Sequence, residues 1–502
     1  MFTELASVFR SWLIHGTVSR HLLVCAFMPL LKSALKDPSS TDSYRAIAGS
    51  SQVLKLFDNV ILLVWGHLLH SDSLQFGFKP GFSTTQCSYL VQEIFGHYVR
   101  RKTPIFSTLC DCSKAFDKCR FDLLFGKMVD RQVPAVVVRV LIFSYEQQVA
   151  WVKWGNVKSK EFGVKNGTRQ GAVLSPPAFA VYLDDLLKEL RRLGLGCYMA
   201  GVWTGATCYA DDLLLLSPTR SGMQAMLAVC ERYAADHNIS FSVDENPAKS
   251  KTKMLYVCNC GDMDFENYPA QLTFCGRLLP YVKTALHLGH TLAQDGSMKQ
   301  DARIRRAQYI DRTTDIRDTF NFADPPQILA AVDKYAGDHY GVMLYNLYEE
   351  STEKYFRCWG TLTKLCWNLP RSTHKYFVSN LLSSGFTSIR TNIMARYVNF
   401  YRSLLKSRSM EVSLVASVAG RDRSSTTGIN LAKIQAETGL NPFSASPRAF
   451  RQAFEEREAP VPPSDLWRIP FLVKLLKQRK DMELNCVNTD KLNDVINGLC
   501  ST

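Results

Sequence analysis

The chain has 502 residues, 46% of them apolar, and a formal charge of +14. That length and apolar content exclude a disordered tail, a collagen-like rod or a membrane bundle, and leave room for about two to four domains with cores of their own. The positive excess suits a polyanionic partner, because Lys and Arg that neutralise phosphates release condensed counterions; charge alone does not identify one.

Residues 1–40 read as a helical N-terminal extension that breaks at Pro38-Ser39-Ser40. From 41 to about 260 helical and strand-like stretches alternate. Residues 53–69 and 84–99 read as helices, the second with Leu90, Val91, Ile94 and Phe95 at helical spacing. Residues 105–110 form a short apolar run suited to a buried strand, and Asn166-Gly167 is a turn signal. A helix over 174–190 is entered through Ser175-Pro176-Pro177, where proline is tolerated in the first turn. Residues 207–216 are apolar except for Asp211-Asp212, as expected of a hairpin with acids at its bend.

Beyond about 300, strand signals thin out. Between 351 and 410 ten Lys and Arg face the single acid Glu353. Residues 418–428 read as a linker, and a Pro-rich break follows at 459–463. The domains expected are therefore an extension at 1–40, a mixed region at 41–295, a basic helical region at 296–410, and a region of unassigned role at 411–502.

The fifteen cysteines are scattered and odd in number, which fits a reducing compartment better than a disulfide framework. The pairs Cys110/Cys112 and Cys258/Cys260 lack a second pair at zinc spacing and read as small buried residues. No segment has the roughly 18 to 20 apolar residues of a spanning helix, and the first thirty residues lack a signal-peptide layout. A soluble, non-secreted protein is expected, with its compartment, nuclear or cytoplasmic, left open.

Three stretches carry chemistry: Leu109-Cys110-Asp111-Cys112-Ser113-Lys114-Ala115-Phe116-Asp117, then Asn166-Gly167-Thr168-Arg169-Gln170-Gly171, then Cys208-Tyr209-Ala210-Asp211-Asp212. Two adjacent carboxylates in an apolar run are costly: at about 4 Å and an effective dielectric near 20, like charges repel by roughly 4 kcal/mol. A hard divalent cation with oxygen ligands would relieve that, and Asp111 can supply the opposing carboxylate. Two such ions roughly 3.5–4 Å apart could then engage an attacking hydroxyl and a leaving oxygen. Taken alone, Tyr209 to Asp212 is equally a tight turn with solvated acids.

Together these stretches resemble the reverse transcriptases of non-long-terminal-repeat (LINE-like) retrotransposons. Asp111 to Asp117, Gly167 to Pro176 and Tyr209 to Asp212 look like the family's catalytic motifs. Tyr44-Arg45-Ala46-Ile47-Ala48 and the stretch Gln75 to Thr84 are similar to its fingers motifs, with Ala46 for the usual proline and Lys79 for the commoner arginine. Pro247 to Lys253 and His287-Leu288-Gly289-His290 resemble its later elements. The likeness runs in order from about residue 28 to 292.

The resemblance implies an α+β right-hand polymerase with fingers, an antiparallel-sheet palm and a helical thumb. It implies an RNA-directed DNA polymerase that takes an RNA template, a DNA primer and dNTPs and uses two Mg²⁺, with Mn²⁺ as an alternative. Asp111, Asp211 and Asp212 would be the catalytic acids and metal ligands, with the carbonyl of Cys112 adding an oxygen. Phe116, beside Ala115, would lie under the sugar and exclude a 2′-hydroxyl; Gln170 and Gly171 would pack on the nucleotide. Arg45 and Lys79 would hold the triphosphate, and Lys249 would protonate pyrophosphate. In the basic thumb, Arg396, Tyr397, Tyr401 and Arg402, close in helical spacing, would line the template–primer, although the same pattern fits an amphipathic helix with core rings.

Met1 stands only about forty residues before the first fingers motif, so a truncated element without an endonuclease is expected. Cys486 and Cys500 form no Cys/His knuckle. Other readings are an intron-maturase-like enzyme, or a silent or domesticated RNA-binding remnant. An RNA-synthesising polymerase is disfavoured by Phe116 and Ala210.

Overall fold

The computed structural model describes residues 2–33, 37–113, 115–169, 171–244, 246–258, 271–367, 369–370, 373 and 388–458. Gln170, Cys260, Arg371, Lys375, the Pro-rich break at 459–463 and the tail beyond it lie outside the described residues. The chain divides into two compact units. The first comprises residues 1–288 with 294–296 and 407–412, and the second comprises 289–293, 297–406 and the residues from 413 onward. Among the described residues no helix is long and apolar enough to cross a membrane.

In the first unit the elements run α1 (Phe2–His15), β1 (Val24–Leu31), β2 (Tyr44–Gly49), α2 (Gln52–Trp65), α3 (Thr84–Arg100), β3 (Ile105–Asp111), α4 (Ala115–Lys118), α5 (Phe121–Asp130), α6 (Ala135–Glu146) and β4 (Val149–Trp154). They continue through β5 (Val157–Lys158), β6 (Phe162–Gly163), α7 (Ser175–Arg192), β7 (Tyr198–Met199), β8 (Val202–Trp203), β9 (Ala206–Tyr209), β10 (Asp212–Ser217), α8 (Arg220–Asp236) and β11 (Lys253–Val257). Start signals are local. The Ser51 and Ser83 side chains accept from the amides of Val53 and Gln86 at the mouths of α2 and α3, and prolines occupy the first turn of α7.

Two sheets organise this unit. The larger runs β2-β1-β4-β5, with β6 also on β4. The smaller runs β11-β3-β10-β9 and is antiparallel throughout. Helices α3 and α8 pack on it, and Met223 of α8 receives the Thr108 hydroxyl at 3.3 Å. Strand β3 is buried over its first four residues and opens only toward Asp111; in β10 Asp212 is exposed while residues 213–217 are buried. The sheet is thus dry along its length and wet at one end.

One expectation for this unit fails. Residues 24–31, read as helical, form β1 at the centre of the larger sheet. Nothing in Val-Cys-Ala-Phe-Met-Pro-Leu-Leu alternates, so period gave no warning. Pro29 is tolerated because β4 pairs with β1 only from Val24 to Phe27, leaving the strand an edge on that side by residue 29.

The second unit is mainly helical: α9 (Lys299–Thr319), α10 (Pro325–Ala336), α11 (Glu350–Phe356), α12 (Cys358–Cys366), α13 (Ile389–Leu405), α14 (Met410–Arg421, whose first residues count with the first unit), α15 (Thr426–Thr438) and α16 (Pro447–Glu458). Buried polar groups knit it. Asp301 accepts from the Thr291 amide at 2.7 Å and the Tyr345 hydroxyl at 2.6 Å, and Asn430 bonds both Leu347 N and Tyr345 O. The linker expected at 418–428 is instead the end of α14, a short turn and the start of α15; Gly420 lies against the Tyr401 ring rather than breaking the chain.

Candidate active site

At the wet end of the small sheet, Asp212 pairs directly with Asp111 across β10 and β3, and with Tyr209 across the hairpin. Directly opposed residues carry their Cβ atoms about 4.5–5.5 Å apart on one face. Asp211 sits in the bend just before, after Ala210, whose φ of 59° is left-handed. An L residue pays roughly 1–2 kcal/mol there, so something must hold the bend.

That something is Gln75, which is fully buried. Its Oε1 accepts from the amides of Ala210 and Gly77, both at 2.9 Å, and its Nε2 donates to the Ala210 carbonyl at 3.1 Å. On either side Phe76 N bonds Cys208 O at 2.7 Å and Cys208 N bonds Leu74 O at 2.9 Å. Residue 77 is glycine because a Cβ there would overlap the Ala210 amide nitrogen. Sequence reasoning assigned Gln75 no role. The one available signal was a neutral polar residue inside the stretch 75–84.

The three acids have few cations of their own. Lys251 Nζ lies 3.6 Å from Asp111 Oδ2, and that oxygen is buried without a hydrogen-bond partner. Desolvation raises the Asp211 carboxyl and Asp111 adds to it, with Arg45 and Lys251 opposing. Desolvation, then Asp211 and Asp111, push Asp212 up to about 6. The Asp111 backbone is fixed between Thr252 Oγ1, which its amide reaches at 3.1 Å, and the Ser242 amide, which donates to its carbonyl at 2.9 Å. Cys112 is buried beside it, bridged to Phe241. Among the described residues no three His, Cys, Asp or Glu side chains close into a metal cage.

Beyond the acids, Ala115 is buried at the start of α4 and Phe116 is half-buried. The Phe116 ring stacks on Phe179 at 4.2 Å and meets Phe78 edge-on at 6.0 Å. Its carbonyl accepts from the Thr168 amide at 2.7 Å. Arg45 is exposed on β2. Gly171 has φ 104°, and a Cβ there would stand 2.9 Å from Ala48 O, so the glycine answers first to its seat on β2. Arg169, quoted in the second stretch, is buried; it bonds Gln148 and the Ser144 carbonyl and lies on the Tyr145 ring.

Five residues assigned from sequence, Lys79, Lys249, Tyr397, Tyr401 and Arg402, sit differently from what was expected. Lys79, expected to be free for a triphosphate, is tied into its own loop: its ammonium donates to the carbonyls of Ser71 at 3.2 Å and Asp72 at 2.7 Å and covers the Phe82 ring. Lys249 is exposed on the turn at 246–250, and Lys251 is the lysine that approaches the acids. Tyr397 and Tyr401, 2% and 1% exposed, are core residues and cannot stack on bases. Arg402 is spent on the carbonyls of Pro442 and Ala445; Arg396 is exposed but donates to Gly337 O at 3.1 Å. In α13 the rings went inward because a buried seam, not a ligand, used the helical period.

Known proteins are similar in sequence to part of this chain. The polyprotein of the retrotransposable element R2DM of Drosophila melanogaster is 26% identical over 184 residues, 37% of this chain and 17% of that protein. That of the R2 element of Nasonia vitripennis is 24% identical over 227 residues, 45% of this chain and 22% of that protein. The chain therefore spans only about a fifth of the length of these relatives. A solved structure, apo telomerase from Candida tropicalis, is 13% identical with a TM-score of 0.35 over 58% of this chain and 60% of that one, too loose a likeness to bear on mechanism. The family model described as reverse transcriptase (RNA-dependent DNA polymerase) matches residues 34–292, which hold the three acids and the Gln75 clamp. With that match over a little more than half its length, the chain belongs to the reverse transcriptase family.

Proposed function

We propose that the chain is an RNA-directed DNA polymerase of a non-LTR retrotransposon, extending a DNA primer on an RNA template with dNTPs. The observation that carries the reading is the pairing of Asp212 with Asp111, with Asp211 in the adjoining bend, inside the family match. The name of a third relative, from the mobile element jockey of Drosophila melanogaster, is RNA-directed DNA polymerase.

The site suits Mg²⁺, with Mn²⁺ as the alternative. An Asp111 oxygen buried without a hydrogen-bond partner and two carboxyls with raised pKa favour a positive charge among them. An open set of acids is also expected, since Mg²⁺ is usually held by a few carboxylates together with substrate phosphates. Asp111, Asp211, Asp212 and the Cys112 carbonyl would hold two ions, which when bound activate the primer hydroxyl and neutralise charge on the leaving pyrophosphate.

The remaining work falls to the chain's own side chains. Gln75 holds the Ala210 backbone that leads into Asp211 and Asp212. Phe116, backed by Phe179, lies under the sugar and leaves no room for a 2′-hydroxyl. Arg45 and Lys251, the cations whose fields reach Asp211, favour the triphosphate's negative charge beside the acids. Gly171, with Gln170 next to it, borders the nucleotide. Fingers and palm would lie in the first unit and a helical thumb in the second, with exposed Arg396 left as its candidate backbone contact.

The test is primer extension on an RNA template with dNTPs and Mg²⁺, comparing the chain with Asp211→Asn. Wild type should extend only with the divalent ion, and the variant should lose about a thousandfold or more, the scale of a removed charge-stabilising group. Template binding by the wild type without metal-dependent extension would leave an RNA-binding remnant instead.

A further inference from the structure

Phe78 has φ 62°, a left-handed conformation that a bulky aromatic rarely adopts. Core burial does not explain it, because the side chain is 42% exposed. Strain of this kind persists only where neighbours over-determine the backbone, and it clusters at working sites. Both neighbours of Phe78 are pinned. Gly77 bonds Gln75 and abuts Ala210, while Lys79 is tied to the carbonyls of Ser71 and Asp72 and sits on Phe82.

The strained ring meets one notable partner. It stands edge-on to Phe116 at 6.0 Å with an interplanar angle of 84°, while Phe179, fully buried, stacks on Phe116 at 4.2 Å and 20°. Stacking on Phe179 fixes the plane of the Phe116 ring but leaves it free to slide within that plane. An edge-to-face neighbour is the contact that stops the slide. The backbone that presents Phe78 is the same one that clamps the Asp211-Asp212 bend, so ring and acids are held in one register.

We propose that Phe78 is a positioning residue for sugar selection: it holds the Phe116 ring where it bars a ribose 2′-hydroxyl. The inference rests on the DNA-polymerase reading given above. Its specific content is that discrimination against ribonucleotides belongs to the pair of rings rather than to Phe116 alone.

Single-nucleotide insertion on an RNA template with a DNA primer tests it, using the full chain and matched dNTP and rNTP. Phe78→Gly removes the ring and the backbone strain together. The ratio of kcat/KM for dNTP to that for rNTP should fall about 3- to 10-fold, as expected from losing one edge-to-face contact, with the fall carried by faster rNTP insertion. Phe78→Tyr, which keeps the ring, should retain the wild-type ratio. Phe116→Val should lower the ratio, and adding Phe78→Gly to it should lower it no further. Phe78→Asn, a residue that tolerates the left-handed backbone, repeats the measurement should the glycine variant not fold. An unchanged ratio in Phe78→Gly or Phe78→Asn, or a fully additive double variant, overturns the proposal while leaving the polymerase reading intact. A wild type that inserts no dNTP at all, or prefers rNTP, overturns the polymerase reading and this inference with it.

Discussion

Replacing Gln75 with alanine removes four hydrogen bonds at once: those from the amides of Ala210 and Gly77, that to the Ala210 carbonyl and a longer one to Cys208 Sγ. The site is fully buried, so water cannot replace them without entering a cavity. Each orphaned amide costs about 1–3 kcal/mol, so the two amides alone make the clamp worth about 2–6 kcal/mol locally. The left-handed Ala210 then lacks the partners that offset its strain, and the bend should relax toward an ordinary φ. Asp211 and Asp212 would swing with it, and a misplacement of about 1 Å at a reacting centre costs roughly a hundredfold in rate. Two readouts check this: amide hydrogen exchange across 206–217, which should accelerate by at least an order of magnitude, and single-turnover primer extension, which should fall about a hundredfold or more. Gln75→Glu separates the parts. It keeps the acceptor but loses the donor and adds a carboxylate beside three others, so it should extend more slowly than its exchange behaviour alone would predict. A Gln75→Ala variant with native exchange and extension within twofold of wild type would refute the clamp.

Two other outcomes follow from the same geometry. Burial pushes Asp58 up to about 6, partly opposed by Arg169 and the amides of Leu174 and Val173. The folded chain therefore binds this proton more tightly than the unfolded chain, and the associated stability is present below about pH 4 and lost as pH rises to about 6. Asp58→Asn should flatten that part of a melting-temperature profile and gain up to about 3 kcal/mol at pH 7; identical profiles would show that Asp58 is not dehydrated. Lys251→Ala should slow extension about tenfold or more and shift the acid limb of the pH–rate profile upward, because Asp211 loses one of its two opposing cations. Lys249→Ala should change the rate less than twofold, and the reverse ranking would restore the assignment made from sequence.

The acids were legible because their chemistry is written locally. An Asp pair inside an apolar run, and another Asp ending a short apolar strand, leave few alternatives once both are seen. Gln75 was not legible, since what it holds lies 135 residues away and no spacing rule links them. Helical period in α13 marked a buried seam correctly but could not say whether Tyr397 and Tyr401 faced a core or a ligand. The resemblance pointed to Lys249, but the 246–250 turn leaves that lysine exposed and Lys251 approaches the acids. Strand β1 was missed because its partners, not its own composition, make it extended.

The close seat of Gly77 against Ala210 has a consequence for divergence. Positions 75, 77 and 210 form a lock in which no member can drift alone: a side chain at 77 collides with the hairpin, and a shorter residue at 75 frees it. Related chains that differ at one of these positions should carry a repairing change at another, and a grafted 71–82 loop should work only when the matching bend travels with it.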